Sequence, residues 1–392
     1  MVMLDEYKWS NSDFEERHDM ITAHQFKNFW FQKNLIGLGG DIKSKAVLAK
    51  EKFIYFGTDN GDLADPDHQE LLLLQVENMI HRCSDKPSLV CDKHPFYYSS
   101  QIAYDIAKDH NLDVIVVQHH RAHIASILAE YEIKGPIVGL SFDGTGYGDD
   151  GTIWGGEFFI GDLQKGLTRA GAFAPLNLLG GDKAVRDGYR IAISAMIERG
   201  VKDSSILAWA SRMGLKDINL SMYKKALQLK LNQVSTSSLG RWFDVASAIL
   251  GVCLSSKADA QAAIDLEKIA ASESSDIVLD YTITQQNGFF LIDPIGLFDL
   301  DRIVSMDTPK LARGFHLSIA KAVAQAALSL AEFYQTHTIV GSGGCFFNRL
   351  FSNELKRLLE KDGLVFLLPK KFSPGDDALS IGQVFIANFM KD

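Results

Sequence analysis

Short apolar runs alternate along this chain with longer segments of helical periodicity. Runs near 34–39, 44–50 and 52–57, bounded by glycine and charged turn residues, predict three strands. Helices are predicted near 67–83 and 97–110, with strand-like runs near 87–91 and 113–118. The stretch "VQHHRAHIASILAEY", residues 117–131, continues with helical spacing, so that Ile124, Ile127, Leu128 and Tyr131 form an apolar stripe able to pack inward. The order is three strands followed by αβαβα.

From residue 135 the same order restarts. "PIVGLSFDG", "GTIWGGEFFIGDL" and "GLTRAGAFAP" predict three strands separated by glycine-rich turns. A long helix near 312–336, the strand "HTIVGSGG", a helix near 348–361, the strand "LVFLLP" at 364–369 and a closing helix near 377–391 complete the set. A mainly helical insertion near 183–270 and a hairpin at 277–292 interrupt it. The expected organisation is an α/β protein with an N-terminal extension (1–33), a first lobe (34–134) and a second lobe (135–392). Ligands of such duplicated folds bind in the cleft between lobes.

Composition narrows the function classes. With 392 residues the chain is long enough for more than one core, and its 46% hydrophobic and 23% charged residues are those of an ordinary globular protein. A formal net charge of −9 argues against nucleic acid as the main partner. The absence of a long apolar run and the charged start "MVMLDEYKWSNSDFEERHD" predict neither membrane span nor signal peptide, hence a cytoplasmic protein. The four cysteines form no CxxC pair, so neither a cysteine zinc finger nor a disulfide framework is indicated.

Candidate chemistry sits at strand ends. His119 and His123 lie four apart at a predicted strand-to-helix junction and share a helix face, the spacing with which two imidazoles grip one metal ion. Histidines at a helix start also serve as simple capped residues. Asp143 ends the strand "IVGLSF" and Asp376 precedes the final helix, positions that equally suit a turn former and an N-cap. Taken together the four make an N/O ligand set suited to a divalent ion such as Fe or Zn, with a position open to substrate. His120 points about 100° away from the ligand face and is expected to play a supporting role. The glycine turns "GLGGDIKSK", "FDGTGYGDDG" and "VGSGGCFFNR" let backbone N–H groups approach an anion, as an interlobe nucleotide site requires.

The motifs "VQHHRAHIAS", "FDGTGYGDDGTIWGGEFF", "GGDKAVRDGYR", "SSLGRWFDVASAILG", "DAQAAIDLE", "GSGGCFFNRL" and "PGDDALSIGQ", with "LGGDIKSK" and "CDKHPFYYSS" before them, resemble in order the C-terminal carbamoyltransferase region of the HypF hydrogenase maturation family. The resemblance covers about residues 34–390. It implies a duplicated actin-like (ASKHA, ribonuclease H-like) fold. It also implies a metal held by His119, His123, Asp143 and Asp376, and an adenine nucleotide (ATP, AMP or carbamoyl-adenylate) held by Gly144, Gly146, Gly343 and Gly344. Asn348 is expected near the adenosine, and Lys183 and Arg186 near phosphate or ribose. Asp377 stands where the family usually has glycine, and "DAQAA" replaces the usual "EGQAA".

The implied reaction is transfer of carbamoyl from carbamoyl-adenylate to the C-terminal cysteine of a HypE-like acceptor, for cyanide ligand synthesis. Full-length HypF carries acylphosphatase-like, zinc-finger and activating domains ahead of this region, which residues 1–33 have no room for, so a separate carbamoyl-activating protein is expected. A thiolate needs little help from a base, and no catalytic residue is assigned. The rival reading is an O-carbamoyltransferase acting on a small hydroxylated metabolite, for which His120 or His94 would be the first candidate bases. A regulator without catalysis is the reading from another class. A tRNA-modifying role is disfavoured by the acidic balance.

Overall fold

The structure, a computed structural model, describes residues 22–390. The first sheet begins with β1 (Thr22–Gln25), β2 (Phe31–Gly37), β3 (Val47–Glu51) and β4 (Phe53–Phe56). Then come α1 (Pro66–His81), β5 (Ser88–Asp92), α2 (Tyr98–His110), β6 (Val114–Val117) and α3 (His119–Glu130). The strand order is β1-β4-β3-β2-β5-β6, with β2, β3 and β4 antiparallel and β2, β5 and β6 parallel. Segment 22–33, assigned to an extension by the sequence pattern, thus supplies an edge strand and the start of β2; residues 1–21 of that extension lie outside the described residues.

The second sheet repeats the plan. Its strands β7 (Ile137–Tyr147), β8 (Ile153–Asp162) and β9 (Gly166–Phe173) are antiparallel and lead to β10 (Leu176–Leu179). The insertion then runs through α4 (Asp182–Arg186), α5 (Gly188–Glu198), α6 (Asp203–Arg212), α7 (Leu220–Gln228), β11 (Gln233–Thr236), α8 (Leu239–Ile249) and α9 (Gln261–Ala271). The hairpin β12 (Thr282–Gln286) and β13 (Phe289–Asp293) follows, then α10 (Leu300–Ser305) and the long α11 (Thr308–Phe333). The chain closes with β14 (Thr338–Ser342), α12 (Arg349–Lys361), β15 (Val365–Leu367) and α13 (Leu379–Phe389). The order β9-β8-β7-β14-β15 has the polarity of β4-β3-β2-β5-β6, which is the duplicated actin-like arrangement. One short strand went unread in the helical insertion: β11 pairs with β10 and touches β8.

Equivalent elements of the two repeats meet at the centre. Helices α3 and α13 follow the last strand of each sheet and pack together within one apolar cluster that includes Val117, Ile124, Leu128, Phe159, Val340, Leu379, Val384 and Phe385. α3 is buried on all sides from Ala122 to Ala129, so the one-sided stripe read from its sequence understates how it is enclosed. Glycine permits the crossing: a Cβ on Gly382 would stand 1.8 Å from the Ala122 carbonyl oxygen. Gln383 then exchanges two hydrogen bonds with the backbone of Gly39, at 2.8 and 3.0 Å, tying α13 to the turn after β2.

Candidate metal centre

The strand-to-helix junctions of both repeats aim at one point. His119 and His123 come from the start of α3, Asp376 from the equivalent turn before α13, and Asp143 from the outer part of β7, where the pairing with β8 shifts register. Both histidines are fully buried. Their Nε2 atoms stand 3.6 and 3.4 Å from Asp143 Oδ2 and 3.8 and 3.4 Å from Asp376 Oδ1. One donor atom from each of the four residues lies within 4.8 Å of the others, the group the sequence pattern singled out.

Neighbouring groups orient these donors. Asp92, at the buried end of β5, accepts from His119 Nδ1 at 2.8 Å, which leaves Nε2 as the bare nitrogen. His123 Nδ1 faces Ser342 Oγ at 3.5 Å, and Asp143 Oδ1 accepts the Gly344 N–H at 3.0 Å. Neither histidine Nε2 has a hydrogen-bond partner. A buried, unpaired nitrogen is costly. Donors about 2.1 Å from a single tetrahedral ion stand about 3.4 Å apart, which these separations approach, so the residues fit a divalent ion.

Electrostatics agrees with that fit. Burial alone would lower both imidazoles, yet Asp92, Asp143 and Asp376 push His119 well above its ordinary value, and Asp143 and Asp376 raise His123. Asp143 is held well below the carboxylate range despite its burial, because the two histidines face it. The cluster therefore demands positive charge, as protons or as a metal ion.

His120 is more deeply engaged than its helical angle foretold. It is fully buried, and Gln118 Nε2 donates to its Nδ1 at 3.1 Å as well as to the Tyr147 carbonyl at 3.0 Å. Its Nε2 has no partner, and burial drives its pKa well below the usual value, so it is a neutral ring outside the donor group. Gly146 is required here for close approach, since a Cβ there would lie 2.5 Å from the His120 ring. His94 stacks on Tyr97 at 4.1 Å, and burial lowers its pKa as well.

The expected nucleotide residues divide into two groups. Gly144 flanks Asp143 at the half-buried edge of the site, and Lys183 and Arg186 project from α4 and are exposed. The Gly343 and Gly344 amides, expected to face an anion, are already taken by the Pro374 carbonyl (2.7 Å) and by Asp143. Gly343 is needed for its left-handed φ of 104° and because a Cβ would collide with the Phe142 carbonyl. Asn348, expected near adenosine, caps α12 through Phe351 N and donates to His316 Nε2 at 3.0 Å, so its side chain is committed within the protein. Sequence reasoning gave no role to Asp92 or Gln118. Nor did it single out Glu157, buried beneath the glycine turn, which accepts from Gly155 N, Gly156 N and Arg169 Nε. The one signal that could have pointed to Asp92 is a carboxylate closing β5 at the place where Ser342 closes β14 in the second repeat.

Fold and site define a two-lobed actin-like protein with a cluster of histidine and carboxylate donors between its lobes. Residues 31–130 match the family model described as HypF Kae1-like domain, and residues 139–383 that of carbamoyltransferase, Kae1-like domain, second subdomain. The chain is 32% identical over 371 residues to the carbamoyltransferase HypF homolog of Cupriavidus necator, covering 90% of this chain and 91% of that one. It is 31% identical to carbamoyltransferase HypF of Rhizobium leguminosarum bv. viciae, over 89% of this chain but 44% of the relative. Among solved structures, a full-length HypF in its phosphate- and nucleotide-bound form superposes with a TM-score of 0.83 at 26% identity, over 93% of this chain and 47% of that one. HypF of T. kodakarensis shares the fold, with a TM-score of 0.82 at 24% identity. The chain belongs to the HypF carbamoyltransferase family and is by class a carbamoyltransferase. It spans nearly all of the Cupriavidus relative and about half of the longer ones. Among the described residues no helix is long and apolar enough to cross a membrane.

Proposed function

We propose that this protein is the carbamoyl-transfer module of NiFe-hydrogenase maturation, working in the cytoplasm. It moves the carbamoyl group of carbamoyl-adenylate to the C-terminal cysteine of a HypE-like acceptor, the new C–S bond replacing the C–O bond to phosphate as AMP leaves and the thiol proton goes to solvent. The observation that carries the proposal is the meeting of two bare imidazole nitrogens and two carboxylates from both repeats in a chain of this family. His119, His123, Asp143 and Asp376 would hold a divalent ion, Fe or Zn. Such an ion supplies Lewis acidity toward a carbonyl or phosphoryl oxygen.

The chain's own residues do the rest by holding positions. Asp92 fixes the His119 tautomer, and the Gly344 N–H holds Asp143 with its other oxygen turned to the histidines. Gly144 leaves backbone beside the ion site uncovered, room for a nucleotide such as the one bound in the solved HypF, whereas Gly146 lets β7 close on the His119 and His120 rings. Burial pushes Cys83 to about 11 and Cys91 to about 12, and lifts Cys345 well above the ordinary thiol. None of these three is a thiolate at neutral pH, in keeping with an acceptor thiol that arrives from another protein.

The test is mass spectrometry of acceptors after incubation with carbamoyl-adenylate. Addition of one carbamoyl group to a cysteine-tailed HypE-type peptide supports the proposal. Addition only to a sugar alcohol would replace it with the O-carbamoyltransferase reading.

A further inference from the structure

The motif "SSLGRWFDVASAILG" has no part in the ion site, yet it brings a guanidinium to its edge. Arg241 lies in the first turn of α8, whose start is fixed against β7 by Ser238 Oγ donating to the carbonyls of Asp143 and Gly144 at 2.7 and 2.8 Å. Arginine has five N–H donors. Arg241 Nη1 makes an ion pair with Asp244 Oδ2 at 2.8 Å and donates to the Val185 carbonyl at 3.3 Å. Nε has no partner but is itself sealed from solvent, and no hydrogen bond uses Nη2 among the described residues. Nη2 is therefore the donor left for an oxyanion, in a charge-assisted hydrogen bond.

Nη2 has a hollow in front of it. A Cβ on Gly144 would find one heavy atom within 4 Å, Arg241 Nη2 at 3.8 Å. Gly144 is the neighbour of Asp143, so the hollow adjoins the ion site. The Asp143, Asp376 and Asp92 carboxylates would repel an anion there, and a fixed cation is needed to offset them. Lys183 and Arg186 are exposed and form no ion pair among the described residues, whereas Arg241 is held by the buried Asp244.

We propose that Arg241 receives a phosphoryl oxyanion in the hollow over Gly144. The inference rests on the nucleotide reading above for the identity of the ligand, but not for its charge. Asp244 fixes the guanidinium, and the tether to Val185 sets α4 beside the same hollow.

Titration calorimetry of the metal-loaded protein with AMP, inorganic phosphate and adenosine tests this, using Arg241→Gln and Arg241→Lys. Loss of the guanidinium charge and its hydrogen bond predicts that Arg241→Gln weakens AMP and phosphate by at least about 10-fold and leaves adenosine unchanged, with partial recovery in Arg241→Lys. Equal weakening of all three ligands would mean a merely structural role and would overturn the proposal, as would unchanged binding of all three. Phosphate binding lost in Arg241→Gln, in a wild type that binds neither AMP nor adenosine, would sustain the oxyanion site and remove the nucleotide reading. A wild type that binds none of the three overturns both.

Discussion

Replacing Gly382 by alanine tests whether the crossing of α3 and α13 sets the geometry of the ion site. The new Cβ would stand 1.8 Å from the Ala122 carbonyl oxygen, whereas ordinary contact begins near 3.4 Å. Because the obstacle is backbone, no side-chain rotation relieves it, and the helices must part by about 1.6 Å or tilt. His123 is on α3 one residue beyond Ala122, and Asp376 leads into α13, so the strain falls on the 3.4 Å separation of His123 Nε2 and Asp376 Oδ1. Donor distances in a well-formed metal site hold to about 0.2 Å, so passing on even a third of the parting of about 1.6 Å would take His123 and Asp376 outside that range and weaken binding of the ion. Overpacking of this kind costs about 3 kcal/mol, at the upper end of the usual range, against a total stability on the order of 10 kcal/mol. The assay is Co(II) or Zn titration alongside urea unfolding, with Gly135→Ala as control because a Cβ there meets nothing within 4 Å. Unchanged affinity and unchanged unfolding midpoint in Gly382→Ala would refute the claim that this contact fixes the site.

Asp92→Ala should lower metal affinity by about 10- to 100-fold while Asp92→Asn, which keeps an acceptor for His119 Nδ1, loses less; equal losses in metal titrations would deny Asp92 an orienting role. Acid titration of stability should expose two opposing groups. Burial raises Asp244 to about 6, so its ionisation removes about 3 kcal/mol of stability as pH rises from 4 to 6; burial lowers His316 to about 4, so its protonation removes a comparable amount as pH falls from 6.5 to 4. Asp244→Asn should therefore show stability rising with pH between 4 and 6 more steeply than the wild type, and an identical slope in urea unfolding would contradict the assignment. Carbamoyl phosphate, ATP and acceptor without a separate activating protein should give little or no transfer, and robust turnover with AMP release would show that this chain performs both halves of the reaction.

The sequence disclosed most where local pattern and chemistry coincide. His119 and His123 were legible because helical spacing brings them together before any tertiary contact is known, and Asp143 and Asp376 because each closes an apolar run or opens a helix. The repeated element order disclosed the duplicated fold. What stayed hidden depends on packing between distant segments. Asp92 reaches His119 from another strand, and Gln118 turns His120 through a side-chain hydrogen bond that no periodicity encodes. The burial of α3 on all sides follows from its place between two sheets, which the modest run of apolar residues does not announce. Glycine roles were read for anion binding, yet the amides of Gly343 and Gly344 serve Pro374 and Asp143, and the crossing at Gly382 went unread because a glycine within a helix carries no sign of what approaches it.

The central claim is that one divalent ion sits where the two repeats meet. Anomalous scattering from crystals of the wild type and of His123→Ala, grown with Fe(II) or Zn, addresses it most directly. A single strong peak is expected within bonding reach of His119 Nε2, His123 Nε2, Asp143 Oδ2 and Asp376 Oδ1, with its loss in His123→Ala while the fold stays intact. A wild type without that peak, or one whose ion lies elsewhere and survives the substitution, would contradict it.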